Sequence, residues 1–201
     1  MRPSSIIASI LALGTTQITA QFLNASAPFN LIVLSDNSTI NGSALTACHE
    51  GAAIEGLCLG GILSKPTDIS YETYTFNISS SPVDVEPSIG FSGYLVWELQ
   101  GVNFNLSSPL TLSFNPTSNI ALPLFEPTAY GTSLAFDVND LLNIQGSDGY
   151  LPTSGTTVAY YRWYICETDG GYLYTTLAWA VGAGKPENPT CSKVHVKRVF
   201  V

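Results

Sequence analysis

The chain has 201 residues, of which only 11% are charged while 45% are hydrophobic. A disordered chain shows the opposite balance, so this composition predicts a folded protein that is long enough to bury a sizeable core. The formal net charge is −8, and the lack of a broad basic face argues against nucleic acid as a partner.

The first segment of the chain has the layout of a secretory signal peptide. Arg2 precedes a short apolar run at 6–13, and Ala20 supplies the small residue that cleavage requires. The run is too short to span a bilayer, and no second run of that kind follows. We therefore predict a signal peptide at 1–20, a single β domain at 21–201 and no membrane span.

Acceptor sequences for N-linked sugar are frequent in the predicted mature chain. Export through the secretory pathway would allow them to be glycosylated, and occupied sites must lie on the surface. Because charged residues are scarce, attached sugar would also supply solubility. The five candidate sites are Asn24, Asn37, Asn41, Asn77 and Asn105.

The chain has four cysteines, Cys48, Cys58, Cys166 and Cys191. An even number of cysteines behind a signal peptide predicts two disulfides formed in an oxidising compartment. Three pairings are possible, and the simplest joins Cys48 to Cys58 and Cys166 to Cys191, because each bond then closes a local loop.

The segment TACHEGAAIEGLC at 46–58 places His49, Glu50 and Glu55 between two cysteines. Zinc sites need about four ligands, and no second Cys/His pair is present, so we expect neither a metal nor a cofactor. We predict that this segment is a surface loop closed by a disulfide, with room for one short helical turn within 44–57. Glu50 and Glu55 remain a candidate carboxylate pair.

The rest of the chain is predicted to be β throughout, because short β-branched and aromatic runs alternate with Gly, Pro, Asn and Ser clusters. Turns are expected at 139–140 and 169–171. The pattern predicts an all-β, antiparallel sandwich or barrel, with a β-trefoil as the second choice. The predicted strands are 29–35, 71–78, 93–99, 102–106, 109–114, 120–125, 133–138, 141–145, 157–166, 172–181 and 192–201.

Tyrosines crowd into the predicted strand at 157–166. Alternation places one set of side chains outward, where tyrosine offers both an apolar ring and a polar hydroxyl to a ligand. The alternative is an amphipathic strand whose tyrosines are half-buried. The outward set, our candidate ligand contact, is Tyr160, Arg162 and Tyr164, and the opposite set, which we expect in the core, is Tyr161, Trp163 and Ile165.

The final strand alternates in the same way. Lys193, His195 and Lys197 share one face, which we interpret as solvated, while the two valines between them face the other way.

Glycoside hydrolysis requires two carboxylates that flank the scissile bond. Glu98 and Glu167 are the candidates, because each lies in an aromatic-rich strand beside a tryptophan, Trp97 or Trp163, that could stack on a sugar ring. Aromatic residues in strands are also ordinary core residues. We therefore assign no catalytic residue and keep hydrolysis as an alternative.

Several segments together carry a resemblance to a known family: ACHEGAAIEGLC, VWEL, NFN, SSPL, AYYRWYIC and KPENPTCSKVHVKRVFV. With them the chain resembles an uncharacterised family of small secreted proteins from filamentous ascomycetes, which carries a domain of unknown function. The resemblance spans nearly all of the predicted mature chain. It implies fungal origin, secretion and a compact β domain, and it brings no catalytic residues. A looser similarity in segment order to a fungal cell-wall protein of spore-bearing cells suggests the cell wall.

The sequence thus predicts a secreted, disulfide-bonded glycoprotein of the fungal cell wall or extracellular surface. We expect its role to be non-enzymatic, with cell-wall polysaccharide as the candidate partner. Two alternatives stand beside this one: an extracellular glycan hydrolase that uses a carboxylate pair, and a secreted effector that binds a host protein.

Overall fold

The computed structural model describes residues 24–79, 86–147 and 157–201. The predicted signal peptide lies outside these ranges. As predicted, the described chain is nearly all β. The strands are Asn24–Ala25 (β1), Phe29–Leu34 (β2), Ser43–Gly51 (β3), Ile54–Ile62 (β4), Thr75–Ile78 (β5), Ser92–Gln100 (β6), Asn105–Phe114 (β7), Ile120–Phe125 (β8), Leu134–Phe136 (β9), Leu142–Ser147 (β10), Thr157–Tyr160 (β11), Trp163–Asp169 (β12), Leu173–Ala180 (β13), Ser192–Lys193 (β14) and His195–Phe200 (β15).

The helical content of the described residues is two single 3-10 turns, Ser70–Glu72 and Pro87–Ile89. Within 24–79, 86–147 and 157–201, no helix has the length and hydropathy that a bilayer crossing requires.

The strands form one antiparallel sheet that curls into a half-barrel, which confirms the predicted class. The main path through the sheet runs β11-β10-β9-β6-β7-β8-β13-β4-β3-β2-β15. An isolated bridge joins Leu141, the residue before β10, to Lys197 of β15. Strand β12 pairs with β13 on one side and with β14 on the other, and this arrangement positions the site described below.

One face of the sheet builds the main core. Trp163 is fully buried and packs edge-on against Trp179, with ring centroids 4.7 Å apart. Its indole Nε1 donates a hydrogen bond to the Leu142 carbonyl at 2.8 Å, so the buried polar group is satisfied. Trp97 is buried in the same cluster. Neither Trp163 nor Trp97 is therefore available to stack on a sugar.

A smaller apolar cluster lies on the opposite face of β12. It contains Cys166 and Ala178 and is flanked by Tyr164 and Cys191. The disulfide between Cys166 and Cys191 is one of the two predicted bonds, and the structure confirms it together with Cys48–Cys58. The bond fastens the segment that follows β13 against the middle of β12.

The predicted surface loop at 46–58 is instead a β-hairpin made of β3 and β4. No helical turn forms within 44–57, because these residues pair across the two strands and bury Leu45 of β3 and Leu57 of β4 in the core. Ala53, with a φ of 59°, makes the turn between the two strands. The Cys48–Cys58 bond joins the strands of this hairpin.

The predicted strand at 157–166 is broken between Tyr160 and Trp163. Strand β11 pairs with β10, whereas β12 pairs with β13, so the chain changes partner strands at the break. The strand predicted at 71–78 begins only at Thr75, because a 3-10 turn precedes it. These boundaries depend on distant pairing partners, which local periodicity does not record.

The predicted turn at 139–140 is confirmed. One carboxylate oxygen of Asp137, Oδ1, accepts hydrogen bonds from the amides of Asn139 at 2.8 Å and Leu141 at 2.9 Å. Asp140 adopts a φ of 63°, which aspartate tolerates better than most residues.

Candidate functional site

The predicted contact residues lie at the junction of β11 and β12. Tyr160, Arg162 and Tyr164 are all half-buried. The guanidinium of Arg162 lies over the Tyr160 ring, with its central carbon 4.5 Å from the ring centroid. Tyr160 packs against the main core, while Tyr164 packs against the smaller cluster. The three residues therefore do not share one flat strand face, although two of them touch.

A fourth residue, Lys193, completes this surface. It lies directly opposite Tyr164 in the pairing of β12 with β14. Its ammonium Nζ is 4.9 Å from the centroid of the Tyr164 ring and donates a hydrogen bond to the Tyr161 carbonyl. We call Tyr160, Arg162, Tyr164 and Lys193 the tyrosine–cation face.

The charge of Arg162 acts on the second cation of this face, Lys193. Partial burial, and then the nearby charge of Arg162, lower the pKa of the Lys193 ammonium below its usual value. In the described part of the chain, no carboxylate oxygen lies within 4.0 Å of either cation, because the ion pairs there involve other residues. The partners of these two charges are the tyrosine rings and, for Lys193, also the Tyr161 carbonyl.

The carboxylate of Asp137 is bound to the tyrosine between Tyr160 and Arg162. Asp137 Oδ2 accepts a hydrogen bond from the Tyr161 hydroxyl at 2.7 Å. Burial, together with this hydrogen bond and the charge of Asp137, raises the pKa of Tyr161 to about 12. The phenol therefore stays protonated at physiological pH and keeps donating to Asp137.

A surface groove of about 350 Å³ adjoins Lys193. His195 lines it on the same side of the terminal strand, and Asp36 and Asn41 line it as well. Lys193 and His195 are exposed while Val194 and Val196 are buried, so the predicted alternation holds over 193–196, whereas Lys197, which was predicted on the solvated face, is half-buried. The tyrosine–cation face therefore opens onto a concave surface.

The Cys48–Cys58 hairpin holds a second group of polar residues. His49 and Glu55 face each other across the strands, with Nδ1 and Oε1 3.5 Å apart. Glu50 is buried and accepts a hydrogen bond from the Tyr172 amide at 3.2 Å. Desolvation is the largest cause that raises the pKa of both Glu50 and Glu55. The charge of Glu55 is a further cause that raises the pKa of Glu50, so the two carboxylates of the candidate pair lie close enough to interact, although each takes a different partner.

The structure also shows an aromatic row that the sequence analysis did not assign. The Tyr172 ring lies 5.6 Å from the His49 ring and 6.1 Å from the Tyr174 ring. Tyr172 is half-exposed.

Among the described residues, no three His, Cys, Asp or Glu side chains gather in a metal-binding arrangement.

Glu98 and Glu167 are not brought together. Strands β7, β8 and β13 lie between β6, which carries Glu98, and β12, which carries Glu167. Four strand spacings amount to roughly 19 Å along the sheet, whereas glycosidase carboxylates lie about 5–9.5 Å apart.

The five candidate sugar acceptors differ in exposure. Asn24, Asn37, Asn41 and Asn105 are exposed, while Asn77 is half-buried on β5. Asn37 Oδ1 accepts hydrogen bonds from the Thr39 amide at 3.0 Å and the Thr39 hydroxyl at 2.7 Å, which orients the acceptor sequence at the surface.

Lys193 is the residue of the tyrosine–cation face that the sequence analysis missed as a site. The predicted Cys166–Cys191 bond was the available signal, because it places residues 192–193 beside 164–165. The pairing itself is non-local, and periodicity within either strand does not reveal it.

Searches of curated proteins and of solved structures find no match to this chain. A family model does match residues 26–200, and its description is a domain of unknown function (DUF7907). The match covers every described strand except β1, from the residue after β1 to the end of β15. The chain therefore belongs to the DUF7907 family.

Proposed function

We propose that this protein is a secreted, non-enzymatic glycoprotein of the fungal cell wall or extracellular surface that contacts polysaccharide through the tyrosine–cation face. The observation that carries the proposal is the pair of ring–cation contacts, Arg162 on Tyr160 and Lys193 on Tyr164. Aromatic rings beside fixed hydrogen-bond donors match the alternating apolar and hydroxyl surfaces of a sugar.

The contacts also hold the rings in place before a ligand arrives. A cation over a tyrosine ring contributes about 0.5–1 kcal/mol at an exposed site. The Tyr160 hydroxyl is further fixed by donating to the Ser147 carbonyl at 2.9 Å. A surface that is already ordered loses less side-chain entropy on binding, which favours recognition of a repetitive polymer.

Export is supported by the two disulfides, which form and persist in oxidising compartments. The fungal source and the wall location rest on the family resemblance of the sequence. The non-enzymatic role is supported by the separation of Glu98 and Glu167 across the sheet.

A pull-down on insoluble chitin and glucan, combined with a glycan array, tests the proposal with protein purified from a secreting host. The variant Tyr164→Ala should bind at least about tenfold more weakly, because a desolvated aromatic contact is often a binding hot spot. Tyr130→Ala is the matched control, since Tyr130 is 74% exposed and lies outside the face. Failure of the native protein to bind any wall polysaccharide contradicts the proposed activity.

A further inference from the structure

We infer that the tyrosine–cation face takes an acidic polysaccharide, in which a carboxylate or phosphate on the sugar is held between Arg162 and Lys193. This inference rests on the proposed function and names the ligand class for that site. The tyrosine rings alone do not specify the charge of the sugar, whereas the two cations specify an anionic group.

The charge distribution is the first argument. The whole chain has only 7 Lys and Arg residues against 15 Asp and Glu. Among the described residues Arg198 pairs with Asp140 at 2.7 Å, and no other lysine or arginine makes an ion pair. Arg162 and Lys193 are two of these unpaired cations, and Arg162 lies close enough for its charge to disfavour the charged form of Lys193.

The second argument is the free-energy cost of keeping Lys193 charged in the folded protein. A lowered pKa means that the folded protein disfavours the charged form of Lys193 relative to the unfolded chain. Cation–ring contacts at an exposed site offset only part of that cost. Two like charges without an acidic partner are a recurrent feature of sites that bind an anion, because the ligand supplies the missing charge.

The geometry is the third argument. Arg162 presents a planar fork of donors that fits carboxylate and phosphate oxygens, while Lys193 contributes a point charge from the neighbouring strand. Each cation rests on a tyrosine ring, at 4.5 Å for Tyr160 and 4.9 Å for Tyr164. An anionic substituent between the cations would leave the sugar ring beside the tyrosines.

The adjoining groove extends the same surface. His195 lines the groove next to Lys193, and its ring contacts Tyr161 with centroids 5.8 Å apart. Asp36 also lines the groove, although it lies outside ion-pair distance of Lys193. A polymer can therefore continue from the cation pair into a groove of about 350 Å³.

General attraction between opposite charges does not explain binding of a polyanion here. The net charge of −8 repels such a ligand at long range. Binding at physiological ionic strength, where exposed charges farther apart than about 8 Å are screened, must come from a local site.

The test compares ligands that differ only in charge. Polygalacturonate and its methyl-esterified form share one backbone, and phosphorylated mannan and enzymatically dephosphorylated mannan share another. We expect the full glycosylated protein to bind at least one acidic form about tenfold or more tightly than its neutral partner, as measured by biolayer interferometry. Preference within the first pair identifies a carboxylate ligand, and preference within the second identifies a phosphate.

Variants then assign the effect to the two cations. Lys193→Met keeps an apolar chain over the Tyr164 ring but removes the charge, and Arg162→Met does the same beside Tyr160. Each should lower affinity for the acidic form about tenfold or more, and a thermal melt checks that each variant remains folded at the temperature of the binding measurement. Lys65→Met changes the net charge equally at an exposed position outside the face and should bind as the native protein does.

The outcomes separate the two proposals. Equal binding of acidic and neutral forms overturns this inference and leaves the polysaccharide-binding function in place. An equal loss in Lys65→Met, or no loss in Lys193→Met and Arg162→Met, also overturns it. No binding to any of these polymers, or to chitin and glucan, contradicts both proposals together.

Discussion

Lys193 stands directly opposite Tyr164 in the β12–β14 pairing, and its ammonium lies 4.9 Å from the centroid of that ring. Residues from the middle and the end of the chain thus form one surface. The disulfide between Cys166 and Cys191, two residues away on each strand, fastens this pairing. The covalent bond and the candidate site therefore belong to one local structure.

The two disulfides should contribute unequally to stability. In the chain-entropy account a longer closed loop stabilises more, and the sequence separations are 25 for Cys166–Cys191 and 10 for Cys48–Cys58. Replacing each pair by alanines should lower the free energy of unfolding by about 3.5 and about 2.7 kcal/mol respectively. Urea titration of both double variants measures these values, and the reverse order would contradict the entropic explanation.

Loss of the Cys166–Cys191 bond should also weaken ligand binding. Without it, β14 is held to β12 by only a two-residue pairing, so Lys193 would spend less time over Tyr164. The Cys48–Cys58 variant is the control, because its hairpin carries no residue of the tyrosine–cation face. We expect reduced affinity for wall polysaccharide in the first double variant alone, measured at a temperature where both remain folded.

Asn30 should be among the most important polar residues of the fold. It is fully buried, and its amide nitrogen donates to the carbonyls of Thr67 at 2.9 Å and Glu72 at 2.8 Å. Its Oδ1 also accepts a hydrogen bond from the Thr67 amide at 2.8 Å. Asn30→Ala should lower the free energy of unfolding by about 2–4 kcal/mol, because it leaves buried backbone groups without hydrogen-bond partners.

Asn119→Ala is the matched comparison for Asn30→Ala. Asn119 also makes side-chain bonds to a distant segment, at Lys185 and Glu187, but these groups are accessible to water. Its loss should cost about 1 kcal/mol. Equal costs for the two variants in urea unfolding would show that burial does not set the importance of Asn30.

Glu72 should make the protein less stable as the pH rises. Its side chain is buried, its Oε2 atom has no hydrogen-bond partner among the described residues, and desolvation raises its pKa above the usual 4.5. A raised folded-state pKa gives stability that is present below the unfolded pKa and is lost as the pH rises through the folded value.

The variant Glu72→Gln should therefore melt at a higher temperature than the native protein at pH 7, and the difference should close in acid, below a pH of about 4.5. Glu98→Gln, at an exposed position on β6, is the control and should change little. Thermal melts across this pH range make the measurement. A constant difference at every pH would argue against titration of Glu72 as the cause.

The occupancy of the candidate acceptor asparagines by sugar should differ. Asn37 is exposed and its acceptor sequence is ordered by Thr39. Asn77 is half-buried between β1 and β6, and its Oδ1 atom is buried. A bulky sugar at Asn77 would displace packed neighbours. Glycopeptide mass spectrometry of secreted protein should find Asn37 occupied and Asn77 free; a glycan on most Asn77 side chains would contradict this placement.

Local signals in the sequence predicted much of this fold. Ile120–Phe125 is a short apolar run that forms a strand, and the alternation at 193–196 is matched by exposed and buried side chains. The two disulfides follow from the number and spacing of cysteines. What local signals lack is the identity of partner strands. The break before Trp163, the position of β4 beside β8 and β13, and the meeting of Lys193 with Tyr164 all depend on non-local pairing.

The most direct test of the central claim is hydrogen-exchange mass spectrometry of the secreted protein with and without soluble fragments of the wall polysaccharide that it binds. The account predicts slower exchange in peptides that cover 160–164 and 192–195, and loss of this protection in Lys193→Met. Protection confined to the aromatic row at 172–174, or to any region away from the β12–β14 pairing, would contradict the assignment of the tyrosine–cation face as the contact surface.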